Sequence, residues 1–374
     1  VGCEMRSLRL VTIALFLLAP VVYRGGCVSA ADSSVVTIIR TSKPFPKVGE
    51  YDVLIGDFHC HTVKSDGKVT PRERIVEAYR FGLDVIAITD HRNFLAYNQV
   101  SRFANCLGIL LIRGFETGIS KKEHFVCLGV PPDYVPRDSH EWSETKEGKT
   151  AFCDEELSRI KDSGGLVIYA HPHMGMREPV LRGIERGEIV GIEVKNGVVG
   201  SGWNSVLSHG TYCYPDAFDW ALRHNLAVMS SSDLHVPRIS GDEPCTLVLV
   251  RERTPDGVLD AIRSRRTIAW FCGMLWGREE LLRDLMSSMV SVSRSIDTIG
   301  TNFMRVTNRG PVELRLSIEG AGAGVTLYNV SPYGETLISW KGGPGEIKLK
   351  WENIWVTPRD NLIMPGPAAQ PVVE

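Results

Sequence analysis

Between about residues 54 and 271 the chain alternates short apolar runs with stretches whose apolar residues recur at helical spacing. Thr70-Pro71-Arg72-Glu73 predicts a helix start: an N-cap hydroxyl, a proline at the first helical position and a glutamate at capping-box spacing. Ile75, Val76, Tyr79 and Leu83 continue that helix on one face, and Gly82 stands where a helix ends. An apolar run over 83–88 follows at once. The same order recurs downstream. A helix over 154–163 passes through Gly164-Gly165 into a strand ending at Ala170, and a helix over 216–224 leads into the run 226–232. Thr254-Pro255-Asp256 opens one more helix, which leads into 267–271. Strand and helix units with short connections predict a parallel α/β sheet, and about seven of them predict closure into a barrel over residues 49–275.

After the barrel the texture changes. An apolar helix near 278–292 predicts a bridge over 276–300. The runs 303–306, 312–316, 325–328 and 347–351 then alternate apolar and polar residues between Gly and Pro turns. They predict a small C-terminal antiparallel β domain over 301–364, with 365–374 as a loose tail. Upstream, residues 31–48 contain Pro44 and Pro46 and read as a linker. In residues 1–30, Arg6 and Arg9 precede an apolar stretch over 10–22, shorter than the roughly 20 residues of a membrane-spanning helix. Val28-Ser29-Ala30 offers small residues for cleavage, so the segment reads as a signal peptide and the chain as exported, periplasmic or extracellular. No transmembrane segment is expected in the mature chain.

Composition narrows the partners. The net charge is −2, and deleting Glu4, Arg6, Arg9 and Arg24 with the leader removes a net +2 and leaves −4. That gives no bulk attraction to nucleic acid or anionic lipid, and no stripe of basic residues interleaved with aromatics is visible. Nucleic acid is therefore not an expected partner. Loss of Cys3 and Cys27 leaves an odd number of cysteines at irregular spacing, unlike a disulfide framework. Cys60, Cys127, Cys245 and Cys272 sit in apolar surroundings and read as small buried hydrophobes.

The candidate chemistry lies where the apolar runs end. His59-Cys60-His61 puts two imidazoles on one face of a strand, a half-shell for zinc, manganese or iron. Asp66 follows in Ser-Asp-Gly and His91 in Thr-Asp-His. Glu116 closes its run with His124 eight residues on, His171 stands in Ala-His-Pro, and Asp233-x-His235 ends the run at 232. Taken singly, Asp66 reads as a turn residue, Glu116 as a solvated strand end and Asp233 as a helix cap. Together they place nine ligand-type side chains at one topological location, the carboxyl ends of the strands.

This ordered set resembles the PHP superfamily, the polymerase and histidinol phosphatase group of metal-dependent phosphoesterases, over about residues 54–272. The resemblance implies a distorted (β/α)7 TIM-like barrel with three divalent ions, Mn2+, Zn2+ or Fe2+. It implies that His59, His61, Glu116 and Asp233 hold one ion, Glu116, His124 and His171 a second, and Asp66, His91 and His235 a third. It also implies hydrolysis of small phosphate mono- or diesters by a hydroxide bridging two ions. The export signal and β appendage are similar to an exported bacterial phosphodiesterase-like branch. Asp90 reads as a residue orienting an imidazole and His173 as an acid for the leaving group. Arg92, Arg177 and Lys195 read as candidates to hold phosphate oxygens, and Arg113 as buried in its strand. The competing readings are a non-catalytic exported metal-binding or surface interaction protein, and a related barrel acting on a non-phosphate substrate. Oligomeric state is not legible.

Overall fold

The computed structural model describes residues 10–13, 36–118, 123–137, 146–197, 206–324 and 326–371. Strands β1 (Leu10–Ile13) and β2 (Val36–Ile39) pair antiparallel. The rest of the expected leader lies outside the described residues. The site-bearing part then runs β3 (Asp52–Asp57), α1 (Pro71–Arg80), β4 (Val85–Ile88), α2 (Leu95–Cys106), β5 (Leu110–Gly118), β6 (His124–Leu128), α3 (Lys146–Asp162), β7 (Leu166–Ala170), α4 (Glu178–Glu185) and β8 (Ile189–Asn196). A hairpin of β9 (Val206–Ser208) and β10 (Thr211–Cys213) precedes α5 (Pro215–Arg223) and β11 (Ala227–Ser231). β12 (Cys245–Val250), α6 (Pro255–Arg263), β13 (Thr267–Phe271) and β14 (Met274–Gly277) complete this part.

Helix α1 forms for the reasons its sequence states. Thr70 Oγ1 accepts the Glu73 N–H at 3.2 Å, and Glu73 Oε2 accepts the Thr70 N–H at 2.7 Å, so two otherwise orphaned donors are satisfied. Its inner face buries Arg74, Ile75, Ala78 and Tyr79. Gly82 ends the turn at φ +82, where a Cβ would stand 2.4 Å from the Thr41 carbonyl oxygen.

The sheet departs from the all-parallel expectation. Its order is β11-β8-β7-β6-β5-β4-β3-β12-β13-β14 and onward into C-terminal strands. β6 is antiparallel to both β5 and β7, since only a few residues separate Gly118 from His124, too few for the crossover that a parallel pair needs. β12 is antiparallel to β3 and β13. The sheet curls until the residues after β11 reach the end of β3. No strand ladder among the described residues joins the ring there: the backbones meet at an isolated Cys60–Leu234 bridge, with Asp233 N–H to His59 O at 2.7 Å and His61 N–H to Leu234 O at 3.0 Å. It is thus a curled mixed sheet with a seam, not a ring of continuous ladders. Leu54, Val85, Ala87, Ile112, Val126, Ile168 and Met229 fill the interior, with Val258, Ala261 and Ile262 of α6 in the same cluster.

The C-terminal part comprises α7 (Glu279–Met289), β15 (Val290–Ile296), β16 (Thr301–Asn308), β17 (Leu314–Glu319), β18 (Tyr328–Val330), β19 (Glu335–Lys341), β20 (Lys348–Trp355), β21 (Asn361–Pro365) and β22 (Gln370–Pro371). The expected bridging helix ends at Met289, because Val290-Ser-Val-Ser-Arg-Ser-Ile alternates with the period of a strand. β20 pairs parallel with β14, so the larger sheet is continuous across the two parts. Part of the tail is ordered as β22 against β15. Cys272, expected in the core, falls at the β13–β14 turn with φ 49 and is exposed.

Candidate metal centre

Five parallel strands of the ring, β3, β4, β5, β7 and β11, send residues to the centre from their carboxyl ends, and antiparallel β6 brings His124 there from its amino end. His59 and His61 follow β3, His91 follows β4, Glu116 lies near the end of β5, His171 follows β7, and Asp233 and His235 follow β11. Asp66 comes from the turn before α1. The nine residues named from sequence therefore meet at one place.

Glu116 sits at the middle of them and is 1% exposed. Its Oε2 lies 3.4 Å from His59 Nε2, 3.2 Å from His61 Nε2 and 3.2 Å from His91 Nδ1. Its Oε1 lies 2.7 Å from His124 Nδ1 and 3.2 Å from His171 Nε2. Asp233 Oδ1 is 3.3 Å from His59 Nε2 and 3.1 Å from His61 Nε2. Asp66 Oδ2 lies 3.3 Å from both His91 Nε2 and His235 Nε2, and its Oδ1 is 3.4 Å from His61 Nδ1. Three groupings emerge: His59, Glu116 and His171; His59, His61 and Asp233; and His61, Asp66, His91 and His235. His61 thus faces two groupings, where the family resemblance implied one.

The donor set fits a divalent cation. His59 Nε2, His61 Nε2 and Asp233 Oδ1 are buried and make no hydrogen bond, although they lie within 3.3 Å of one another in His–Asp pairs. Buried polar atoms without partners are costly, and imidazole nitrogens with carboxylate oxygens are the ligands of zinc, manganese and iron. Burial by itself lowers the pKa of His59, but the carboxylates of Asp233, Glu116 and Glu193 outweigh it and leave it well above 6.5. His61 is likewise lowered by burial, then lifted by Asp233 and Glu116 to about 9. Burial raises Asp233 and Glu116, and the imidazoles, His59 foremost, hold both well below the usual carboxylate range. Hydrogen bonds from His235 and His91 depress Asp66. A cation would compete with protons for these imidazole nitrogens.

Behind the ligands stand residues that sequence reading missed. Glu193, buried mid-strand in β8, accepts His59 Nδ1–H at 3.0 Å through Oε1. Its Oε2 accepts the His171 N–H at 2.8 Å and Asn196 Nδ2 at 2.9 Å. That bond fixes the His59 tautomer and turns the Nε2 lone pair inward. Asp57 accepts Ser232 N–H at 3.0 Å and pairs with Arg238, which ties the loop carrying Asp233 to β3. Both sit inside apolar runs, where only strand parity signals that they point inward. The backbone at His171 and Asp233 has φ 26 and 49, a conformation that costs a non-glycine residue about 1–3 kcal/mol.

The residues expected to assist are more scattered. Asp90 does not touch an imidazole. It accepts Thr62 N–H at 2.8 Å, Thr62 Oγ1 at 2.7 Å and Ser65 Oγ at 2.7 Å, and Ser65 Oγ lies 3.4 Å from His61 Nδ1. His173 donates Nδ1–H to His171 O at 2.7 Å, and burial lowers its pKa. Arg177 caps α4 and pairs with Glu123 at 2.7 Å. Arg92 gives its backbone N–H to Glu116 O at 3.0 Å. Lys195 is turned to the Tyr212 carbonyl at 2.6 Å, and burial lowers its pKa. Arg113 is not buried in its strand. It stacks over Phe94 at 3.9 Å on the outer face. Cys60 packs as expected, with Sγ against Ala87 O.

The centre opens into a pocket of about 490 Å³ whose remaining walls are Gly197, Tyr214, Ser232, Leu234 and Val236. No lysine or arginine is among the described residues lining it. No helix among the described residues is long and apolar enough to cross a membrane.

Residues 57–176 match the PHP domain, a span holding seven of the nine ligand-type residues and stopping before Asp233 and His235. A 5'-3' exoribonuclease of Haemophilus influenzae is 38% identical over 60 residues, 16% of this chain and 22% of the relative. A PolC-type DNA polymerase III of Oceanobacillus iheyensis is 26% identical over 141 residues, 33% of this chain and 10% of the relative. The chain thus spans about a fifth and a tenth of the curated relatives it matches. Among solved structures, a two-domain Bacteroides vulgatus protein containing a predicted PHP-like metal-dependent phosphoesterase superposes with a TM-score of 0.72. It is 24% identical, and the match covers 87% of this chain and 98% of that one.

Proposed function

From the premise that this chain carries a PHP domain, we propose that it is a metal-dependent phosphoesterase acting on small phosphate mono- or diesters at a three-ion centre. The observation that carries this reading is the convergence of eight ligand-type residues in three overlapping groupings, with His124 2.7 Å from Glu116 and with His59 Nε2, His61 Nε2 and Asp233 Oδ1 buried and unbonded at their centre. Divalent ions held there, Mn2+, Zn2+ or Fe2+, would supply Lewis acidity toward phosphoryl oxygens and lower the pKa of water from about 15.7 to about 7.

The chain's own residues prepare that chemistry. Glu116 divides its two oxygens between two sets of imidazoles and would be placed to hold neighbouring ions. Glu193 holds the His59 lone pair inward, and Asp90 steadies the turn bearing Asp66 through Ser65. With no cationic side chain among the described lining residues, the charge of a bound phosphate would be neutralised by ions held by these ligand-type residues. Tyr214, Leu234 and Val236 offer an apolar wall to the ester's organic part. The leader-like residues 1–30 support an exported, periplasmic or extracellular setting.

Protein loaded with Mn2+ or Zn2+ is expected to release nitrophenolate from bis-p-nitrophenyl phosphate or p-nitrophenyl phosphate. A 5'-phosphorylated dinucleotide belongs in the same panel, since both curated relatives are nucleic-acid enzymes. Inactivity on all three, with the ions confirmed on the protein, would overturn the reading. Glu116→Ala is expected to lose turnover and the two of the three ions that Glu116 would hold, and unchanged metal content would remove its bridging role.

A further inference from the structure

The loop after β11 carries Asp233 and His235, yet β11 is laddered only to β8. Across the seam from it stands His61. Between them lies the side chain of Arg74, 1% exposed on the inner face of α1. Its Nη2 donates to the carbonyl oxygens of His61 at 2.9 Å, Leu234 at 3.0 Å and Val236 at 3.2 Å. Its Nη1 donates to Val236 O at 3.2 Å and to Glu77 Oε2 at 2.6 Å. Glu77 Oε1 in turn accepts the Arg238 N–H at 3.1 Å, so the same pair grips the far end of the loop.

We infer that Arg74 is a positioning residue for the metal centre, setting the separation of His61 from Asp233 and His235 across the seam. A rigid planar fork with several donors suits three convergent carbonyls, where a lysine ammonium would satisfy fewer. Glu77 compensates the buried charge. The three carbonyls belong to His61 itself, to the residue between Asp233 and His235, and to the residue after His235. Small displacements of the guanidinium therefore move ligands of two groupings together, while His59, Glu116 and His171 keep their own supports in Glu193 and β5. This role rests on the reading of the site as a metal centre.

Arg74→Lys and Arg74→Met would be compared with wild type and with Thr70→Ala, which weakens the cap of the same helix without touching these carbonyls. Each protein is stripped, titrated with Co2+ against a competing chelator, and examined by visible absorption and circular dichroism. Wild type and Thr70→Ala are expected to bind alike. Arg74→Lys is expected to keep its far-ultraviolet spectrum while losing about 10–100-fold in affinity for part of its Co2+, with an altered absorption band. Wild-type affinity and band shape in Arg74→Lys would overturn the inference, and that variant decides the matter should Arg74→Met not fold. A wild type that takes up no ion would instead overturn the metal reading itself, and this role with it.

Discussion

Glu193 shows how a residue away from the pocket can control the ligands within it. Both its oxygens are committed, one to the His59 ring and the other to the His171 backbone and Asn196. Glu193→Gln keeps the shape but replaces one acceptor with a donor, so the His171 N–H or the His59 Nδ1–H loses its partner. The expected outcome is metal affinity about 10–100-fold weaker, read by chelator competition. An unsatisfied buried group should also cost about 1–3 kcal/mol, read by denaturant unfolding. Unchanged affinity would mean the His59 tautomer is set elsewhere. The candidate ligands stood out in sequence because His, Asp and Glu at the ends of apolar runs have no packing reason to be there, and the structure brings them together. Glu193 was not, because Ile192-Glu193-Val194 reads as an ordinary buried strand until its neighbours in space are known.

At the scale of elements, legibility followed the strength of local signals. Thr70 and Thr254 cap the helices they announce, each accepting an N–H three residues on. The direction of β6 was hidden, because apolar alternation is the same whichever way a strand runs. The β9–β10 hairpin supplies a test of its own. His209 at its tip has its ring centroid 5.2 Å from that of Trp276 and 4.1 Å from that of Trp355. Burial there lowers its pKa below the ordinary 6.5. The unfolded chain therefore binds the proton more readily, and the folded state loses stability as pH falls from about 6.5 through the depressed folded value. Unfolding midpoints measured from pH 7.5 to 5 should drop more in wild type than in His209→Phe. Parallel curves would remove His209 as the cause.

For the whole molecule, ions that bind the folded chain and not the unfolded one should stabilise it by mass action, about 2.7 kcal/mol for one site at a hundred times its dissociation constant. Chelation followed by thermal unfolding should lower the midpoint, and added Mn2+ or Zn2+ should restore it. A midpoint indifferent to chelator would count against a resident ion. The α/β character was legible from the alternating texture, whereas the continuity of the sheet through β14 and β20 was not, since strand pairing between distant segments leaves no local trace.

The seam between β3 and the end of β11 also sets a timetable. His59 and Asp233 meet through a backbone bond, but the chain must supply everything between positions 59 and 233 before that bond can form. Closing so long a loop costs entropy that shorter contacts do not. A nascent chain emerging amino end first therefore presents His59, His61 and Glu116 long before their partners from β11 exist. Ion capture by the complete set belongs to the last stage of folding, so a chain arrested before the loop at 232–238 would lack the ligands that complete the centre.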